Sequence, residues 1–412
     1  MTTTEQGDDA GLGPTDAAHR VALLDVLRGL ALFGVLYANA VPWFSGRAFM
    51  TRAELIARTT PADDVTLFLT GLFVDGKAMT MLTFLFGLGF ALQLERAAAK
   101  GRSVVRTHLR RLGALALIGV CHVLLLWWGD IVWGYAIAGA GLLLFRRVKG
   151  WGLFAAALAL VFVPQFVVSI PAVAEALAPL VPHPADDGAF RAKLLAAIAG
   201  DDRLALAEMH VKQAYYHVGR IWVSYFVALL GKFLLGYWAG TTGLLPPAEG
   251  RLPFHRKLLA WGLALGLVFS VIMPVRRILM RRGVVIPEDV RMALGPLSEA
   301  GTMLLASAYV AAIVLLMRRP FARRALLLVA PVGRMALTTY LFQSLVCTFL
   351  FYGWGLGLAG RVGPAVIFPM TLAVFLLQIA LSTAWLRRFR FGPVEWVWRW
   401  LTYGRMPPMR AG

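Results

Sequence analysis

His122 lies in the stretch LIGVCHVLLLWWGD, deep in an apolar run that Asp130 closes. An imidazole titrates near neutrality. At that depth it could serve as general base toward an acceptor hydroxyl or amine, or carry an acyl group covalently. A neutral histidine hydrogen-bonded between helices explains the residue equally well. Counting from Arg111 puts His122 about 16 Å along its helix, near mid-membrane. His122 and Asp130 are the catalytic candidates. His108 reads as part of a basic loop. His210 and His217 could line an acceptor site, although residues so placed are more often solvated.

A second group sits in RVALLDVLRGLALFGVLYANAV, residues 20–41, where Asp25, Arg28 and Asn39 share one helix face. At 100° per residue they fall within an arc of about 60°. Charges at membrane depth are costly, so they pair or line a wet cavity. Asp25 and Arg28 at i,i+3 can satisfy each other. Alternatively Arg28 holds an anionic group, Asp25 orients it, and Asn39 extends the lining outward as one wall of a tunnel. Asp75 and Lys77, in VDGKAMT, lie about 31 and 28 Å from Arg96 if their helix is straight, level with Asp130. These three could surround an acceptor. Tyr340 and Gln343 belong to a polar patch with Thr339 and Ser344; interhelical hydrogen bonding is the stronger reading, substrate contact the other.

These side chains need helices to hold them at depth. Of 412 residues, 59% are hydrophobic, and the mean hydropathy is +0.70. Long apolar runs recur along the chain, whereas the ten-residue alternating segments of a spanning barrel are absent. The fold class is an all-α polytopic membrane protein of about ten transmembrane helices, at 21–42, 65–93, 111–128, 131–146, 151–172, 220–243, 257–275, 295–317, 331–352 and 365–386. The second run would reach about 43 Å against a core of about 30 Å, so it must tilt or break, and VDGKAMT is the expected break. Residues 1–18 read as a disordered cytoplasmic tail, 19–172 and 220–386 as two five-span halves, 173–219 as an extracytoplasmic helical insertion, and 387–412 as an interfacial helix and tail. In FGPVEWVWRWLTYGR, Pro393 suits a helix start, Glu395 and Arg399 sit at i,i+4, and Gly404 can close the helix.

The net charge is +19, from 41 Lys and Arg against 22 Asp and Glu. The basic residues cluster in the short loops ERAAAKGRSVVRTHLRR, RRVKG, RRPFARR and RRFRFG, all on one side of a ten-span chain. By the positive-inside rule that side, with both termini, is the cytoplasm of a bacterial plasma membrane. The charge therefore reads as topology and attraction to membrane lipids, not as nucleic-acid binding. RRILMRRGVVIPEDVR (276–291) is basic on the opposite side; either it binds something anionic or a span is miscounted. Two cysteines suggest no disulfide framework. No P-loop, H-E-x-x-H or Cys cluster is present, and no metal is expected.

LDVLRGLALFGVLYANA, DGKAMTMLTFLFGLGFALQLERA, GDIVWGYAIAGAGLLL, VGRMALTTYLFQSLVCTFLFYGWGLGLAG and FGPVEWVWRWLTYGR, in this order, resemble the YeiB-like bacterial membrane proteins. The C-terminal half of that family is catalogued as domain of unknown function 418. The opening LDVLRG is similar to the start of the heparan-glucosaminide N-acetyltransferase group, and more distantly to membrane acyltransferases of polysaccharide modification. This resemblance implies transfer of an acyl group from cytoplasmic acyl-CoA to an acceptor across the membrane. The chain departs from that group in having no histidine in residues 40–64, just after the first span.

The expected function is thus a membrane acyltransferase serving an envelope sugar, lipid or small-molecule acceptor. His122 would be base or acyl carrier, and Arg28 would hold a carboxyl, phosphate or oxyanion; cytoplasmic arginines could bind CoA phosphates. A transporter or flippase for an anionic or lipid-linked substrate is the alternative, and a non-catalytic membrane partner the third class. The oligomeric state is left open, a homo-oligomer included.

Overall fold

A computed structural model describes residues 22–101, 103–168, 170–245 and 251–410. The expected tail at 1–18 lies outside the described residues. Among the described residues eighteen α-helices follow one another, and there are no strands beyond one isolated bridge between Phe389 and Arg410.

The first apolar run forms α1 (Ala22–Asn39), which ends in a π-helical turn, Ala40–Phe44, and a short 3-10 turn, Arg47–Phe49. After α2 (Arg52–Ala57) comes the long second run, and it breaks where expected. α3 (Pro61–Phe73) and α4 (Lys77–Ala99) flank a turn at Val74–Gly76, with Gly76 at φ 77°. α4 alone, at 23 residues, is about 35 Å long and can span by itself. The Lys77 ammonium donates to the Gly71 carbonyl at 2.8 Å, satisfying one of the acceptors that the end of α3 leaves open.

α5 (Val105–Leu125) and α6 (Val132–Gly141) form a tight pair, followed by α7 (Gly150–Val167). α6 has only ten α-helical residues, but i→i+3 hydrogen bonds carry the coil on from Leu142 to Arg146. With the longer rise of that tighter coil, the whole unit reaches about 25 Å. The insertion is helical as expected: α8 (Pro171–Leu177), α9 (Asp187–Ala199) and the first part of α10 (Arg203–Thr241). The two parts of α10, Arg203–Gly219 and Ser224–Thr241, meet at 74°.

The second half comprises α11 (Leu252–Ser270), α12 (Ile272–Arg281), α13 (Glu288–Leu316), α14 (Pro320–Leu327), α15 (Ala330–Arg334), α16 (Ala336–Phe351), α17 (Pro364–Leu386) and α18 (Pro393–Tyr403). Among the described residues seven helical segments are long and apolar enough to cross a membrane, eight if the bent pair in α10 counts as one. The expectation of ten spans is therefore coarser than the structure at two places. The run 131–146 is the short α6 unit, and 331–352 is split at Met335 into α15 and the 16-residue α16.

Close approach between helices explains much of the glycine content. A Cβ on Gly236 of α10 would lie 1.8 Å from the Phe84 carbonyl oxygen of α4, and one on Gly87 would lie 1.8 Å from the Phe233 oxygen of α10. These reciprocal contacts let two backbones touch, which apolar side chains in lipid could not drive by burial alone.

Two arginines of the basic stretch after α11 find acidic partners within the chain. Arg277 forms an ion pair with Asp75, and Arg281 Nη1 lies 2.5 Å from Asp64, so α12 is fastened to α3 and to the break beyond it. The Arg281 carbonyl also accepts from Arg52 at 2.9 Å. At the other face, α18 starts with Pro393 and closes with Gly404 at φ 69°, as its sequence predicts. Glu395 does not turn outward toward Arg399. It is buried, and its carboxylate accepts from the amides of Leu337 and Thr338 (2.6 and 3.1 Å) and from the Thr338 hydroxyl (2.5 Å). The interfacial helix thereby caps the N-terminus of α16. Burial pushes the Glu395 carboxyl up, against the pull of the Thr338 hydroxyl and the amides.

Candidate functional site

α5 ends at Leu125 because the chain turns back on itself. The amides of Leu126 and Trp127 both donate to the His122 carbonyl (2.9 and 3.0 Å), and the turn returns Asp130 to the side of its own helix. His122 Nδ1 lies 2.7 Å from Asp130 Oδ2, with both side chains wholly buried. The other carboxylate oxygen accepts from the Trp133 amide at 2.8 Å, in the first turn of α6. One acid thus caps a helix and orients an imidazole. Gly119 permits this: a Cβ there would lie 2.5 Å from the Trp133 nitrogen and 2.7 Å from Asp130 Oδ1.

A carboxylate only accepts, so the ring donates through Nδ1 and the neutral imidazole carries its lone pair on Nε2. That nitrogen is buried and has no hydrogen-bond partner among the described residues. The same holds for the indole nitrogens of Trp127 and Trp128. Sequence reasoning passed over both tryptophans, although LLLWWGD sets two polar-tipped aromatics beside the histidine. Buried polar atoms are normally paired, so one base and two donors left over in one region mark it out.

Tyr340 from α16 reaches the same place: its ring lies 5.3 Å from that of His122, and its hydroxyl accepts from the Ile131 amide at 3.3 Å. The Trp127 ring lies 6.5 Å from His122 and stacks on Phe44 at 4.3 Å. Trp128 packs on Trp43 and His217 (5.2 and 5.1 Å). The insertion closes over this box. Leu194, Ile198, Leu206 and Met209 are buried in the same core as Phe44, Phe49, Trp127 and Trp128. His210 is buried, with Nε2 3.3 Å from the Tyr352 hydroxyl, and lies within electrostatic reach of His122. The solvated reading of His210 is thereby corrected. His108 is corrected likewise: it lies buried between helices, with Nε2 3.1 Å from the Gly139 carbonyl.

Other sequence candidates lie elsewhere. Asp25 and Arg28 pair at 3.1 Å, Asp25 buried and Arg28 partly exposed. Between Arg28 and Asn39, the same helix face presents Leu32, Val35 and Leu36, each 2% exposed in the hydrophobic core. The stripe is therefore not a continuous polar wall: about 16 Å of packed aliphatic side chain separates its ends. Asp75 and Lys77 engage α12 and α3, as described above, and belong to a charge group that also includes Lys232 and Glu299, 2.7 Å apart across α10 and α13. Gln343 donates to the Leu32 carbonyl (3.2 Å) and to Gln378 Oε1 (3.1 Å), joining α1, α16 and α17.

At the face bearing α18, Arg28, Arg96 and Arg399 lie within electrostatic reach of Arg111. The Arg111 guanidinium sits 4.5 Å over the Trp398 ring, whose indole donates to the Arg111 carbonyl at 3.0 Å. Four helices thus contribute arginines to one basic cluster, about 16 Å along α5 from His122. Among the described residues no group of three or more His, Cys, Asp and Glu is arranged to hold a metal ion.

The chain is similar to other proteins over nearly its whole length. A family model described as a protein of unknown function, DUF418, matches residues 239–405. The chain is 32% identical to the uncharacterized protein YxaH of Bacillus subtilis (strain 168), over 97% of this chain and 98% of that one. It is 28% identical to an uncharacterized 39.9 kDa protein of Bacillus acidopullulyticus, over 97% and 98%. It is also 28% identical to the uncharacterized protein YeiB of Escherichia coli (strain K12), over 93% and 96%. No solved structure matches it. With alignments running end to end and the DUF418 match in its second half, the chain belongs to the YeiB-like family of multi-pass membrane proteins.

Proposed function

We propose that the chain is an integral-membrane acyltransferase of the bacterial plasma membrane, with both termini in the cytoplasm. It takes an acyl group from acyl-CoA and delivers it to an envelope sugar, lipid or small-molecule acceptor. The observation that carries this reading is the His122–Asp130 pair, with Nε2 unspent in a closed aromatic box. Nε2 takes the proton of the acceptor hydroxyl or amine as that atom attacks the thioester carbonyl. The tetrahedral oxyanion is met by the indole N–H groups of Trp127 and Trp128. Collapse breaks the C–S bond; the CoA thiolate leaves and receives the proton from His122. The arginines around Arg111 hold the CoA phosphates at the inner face.

The purified full chain in lipid nanodiscs, given acetyl-CoA and an envelope extract, should release CoA thiol in an acceptor-dependent way. A folded His122→Ala variant should not; equal release by that variant ends the proposal.

One observation favours a second reading. Lys77 and Glu299 lie within helical segments long and apolar enough to cross the membrane, and Lys232 in the bent pair that makes an eighth, as a transport path requires. Substrate flux in sealed vesicles without thiol release, lost on Glu299→Gln and kept on His122→Ala, would select it.

A further inference from the structure

A cavity of about 450 Å³ opens on the face opposite α18, lined by Arg47, Met50, Arg58, Gly360, Arg361, Val362 and Gly363. Three arginines line it and no carboxylate residue does. Arg47 is 8% exposed; its Nη2 donates to the Thr59 hydroxyl at 2.7 Å. Arg58 Nη1 donates to the Gly360 carbonyl at 2.5 Å, which fixes its guanidinium at the rim. Asp63 stands behind, within electrostatic reach of Arg47, but its oxygens already accept from the Ala365 and Thr60 amides and the Thr60 hydroxyl. Burial lowers the affinity of Arg47 for its proton and Arg281 adds to that effect, while Asp63 and Asp64 act in the opposite direction.

The last glycine of GWGLGLAG, Gly360, borders this space. Gly360 has φ 71°, and a Cβ there would lie 3.3 Å from Met50 Cε and 3.5 Å from Arg58 Nη1. The volume is that of a ligand pocket, larger than one phosphate alone needs. Arg47 also lies in sequence between Phe44, stacked on Trp127, and Phe49, which packs on Trp128 at 6.1 Å. The cavity and the His122 box therefore share one short segment of chain.

We propose that Arg47, Arg58 and Arg361 form a binding site for the phosphate or carboxylate group of an extracytoplasmic ligand. Binding there is independent of transfer; that the ligand is the acyl acceptor rests on the acyltransferase reading. Planar guanidinium forks match such oxyanions bidentately, which suits arginine better than lysine at all three positions.

The test is equilibrium binding to the full chain in nanodiscs of zwitterionic lipid, with inorganic phosphate and glycerol 3-phosphate as probes. A parallel arm uses nanodiscs containing phosphatidylglycerol and reads lipid co-purification. Arg58→Gln and Arg361→Gln, both at exposed positions, avoid the folding risk of changing Arg47 and should each weaken binding about tenfold or more. His122→Ala should bind as wild type does while losing transfer, which separates this site from the catalytic reading. Binding of the soluble probes identifies a free anion; retention of phosphatidylglycerol alone identifies a lipid headgroup. No retention of either, or equal retention by both arginine variants, overturns the proposal.

Discussion

The region around His122 and the region around Lys77 both keep polar groups away from solvent, and they do so differently. At Lys77 charge is matched: the ammonium meets the Gly71 carbonyl, Asp75 meets Arg277, and Lys232 meets Glu299. Such matching is what a bundle needs merely to tolerate charge at depth. At His122 the matching stops halfway. Asp130 engages Nδ1, while Nε2 and two nearby indole nitrogens have no partner among the described residues. Leaving a buried polar atom unpaired costs about 1–3 kcal/mol, so an arrangement that leaves three in one box points to use rather than packing.

Exchanging the two roles is the strongest way to break this comparison. His122→Ala should lower transfer by about 10²–10⁴-fold, the range of a lost general base, and cost about 1–3 kcal/mol of stability by leaving Asp130 Oδ2 unpaired. Lys77→Met should cost a similar amount, about 1–3 kcal/mol, by stripping a partner from the Gly71 carbonyl but leave transfer close to wild type. Transfer rates and melting midpoints on both variants check this. If Lys77→Met abolished transfer in a protein of unchanged stability, the charge group would be the working site. Asp130→Asn should cost about 10²-fold, because an amide can donate to Nδ1 and so favour the wrong tautomer, while its oxygen still caps α6.

Legibility followed the same division. Apolar runs revealed the helices, the break at Val74–Gly76 and the cap residues of α18, since each depends on local chemistry. His122, Asp130 and Tyr340 were recognisable because polar groups in apolar runs stand out. Their contact was not: straight-helix counting assigns Asp130 to an outer tier, and only the reversal at Trp127–Asp130 returns it to His122. Leu32, Val35 and Leu36 likewise interrupt a stripe that a helical wheel draws as continuous. Arg47, Arg58 and Arg361 were not identified because 302 residues separate Arg58 from its Gly360 partner, and no spacing rule reaches so far.

Packing contacts come next in expected effect. Gly236→Ala drives a methyl against the Phe84 carbonyl, and the α4–α10 contact must separate to admit it. About 1–3 kcal/mol should be lost, with activity following stability. A drop in transfer at unchanged melting midpoint would tie the α4–α10 contact to the site and blur the division between the two regions.

Glu395 tests the capping role of α18. Glu395→Ala should cost about 1–2 kcal/mol, as lost helix caps do, by freeing the amides of Leu337 and Thr338. Because the folded carboxyl is raised by burial, its linked stability is fully present below the unfolded value and is lost as pH rises through the folded one. The melting midpoint of wild type minus that of Glu395→Gln should therefore fall with rising pH across that window.

The smallest effect belongs to the rim at the face opposite α18, where Arg281 meets a half-exposed Asp64. An exposed ion pair contributes about 0–1 kcal/mol, and salt screens it. Asp64→Asn should lower the melting midpoint barely, and high salt should erase the difference, since Asp75–Arg277 still fastens α12 to the helix break. A loss that persisted in salt would mean that the rim pair holds α3 in place beneath Asp63 and its Ala365 contact. In that case Asp64→Asn should also weaken phosphate binding at Arg47. A shift in melting midpoint without a shift in binding would confine the pair to stability, like the matched charges at Lys77.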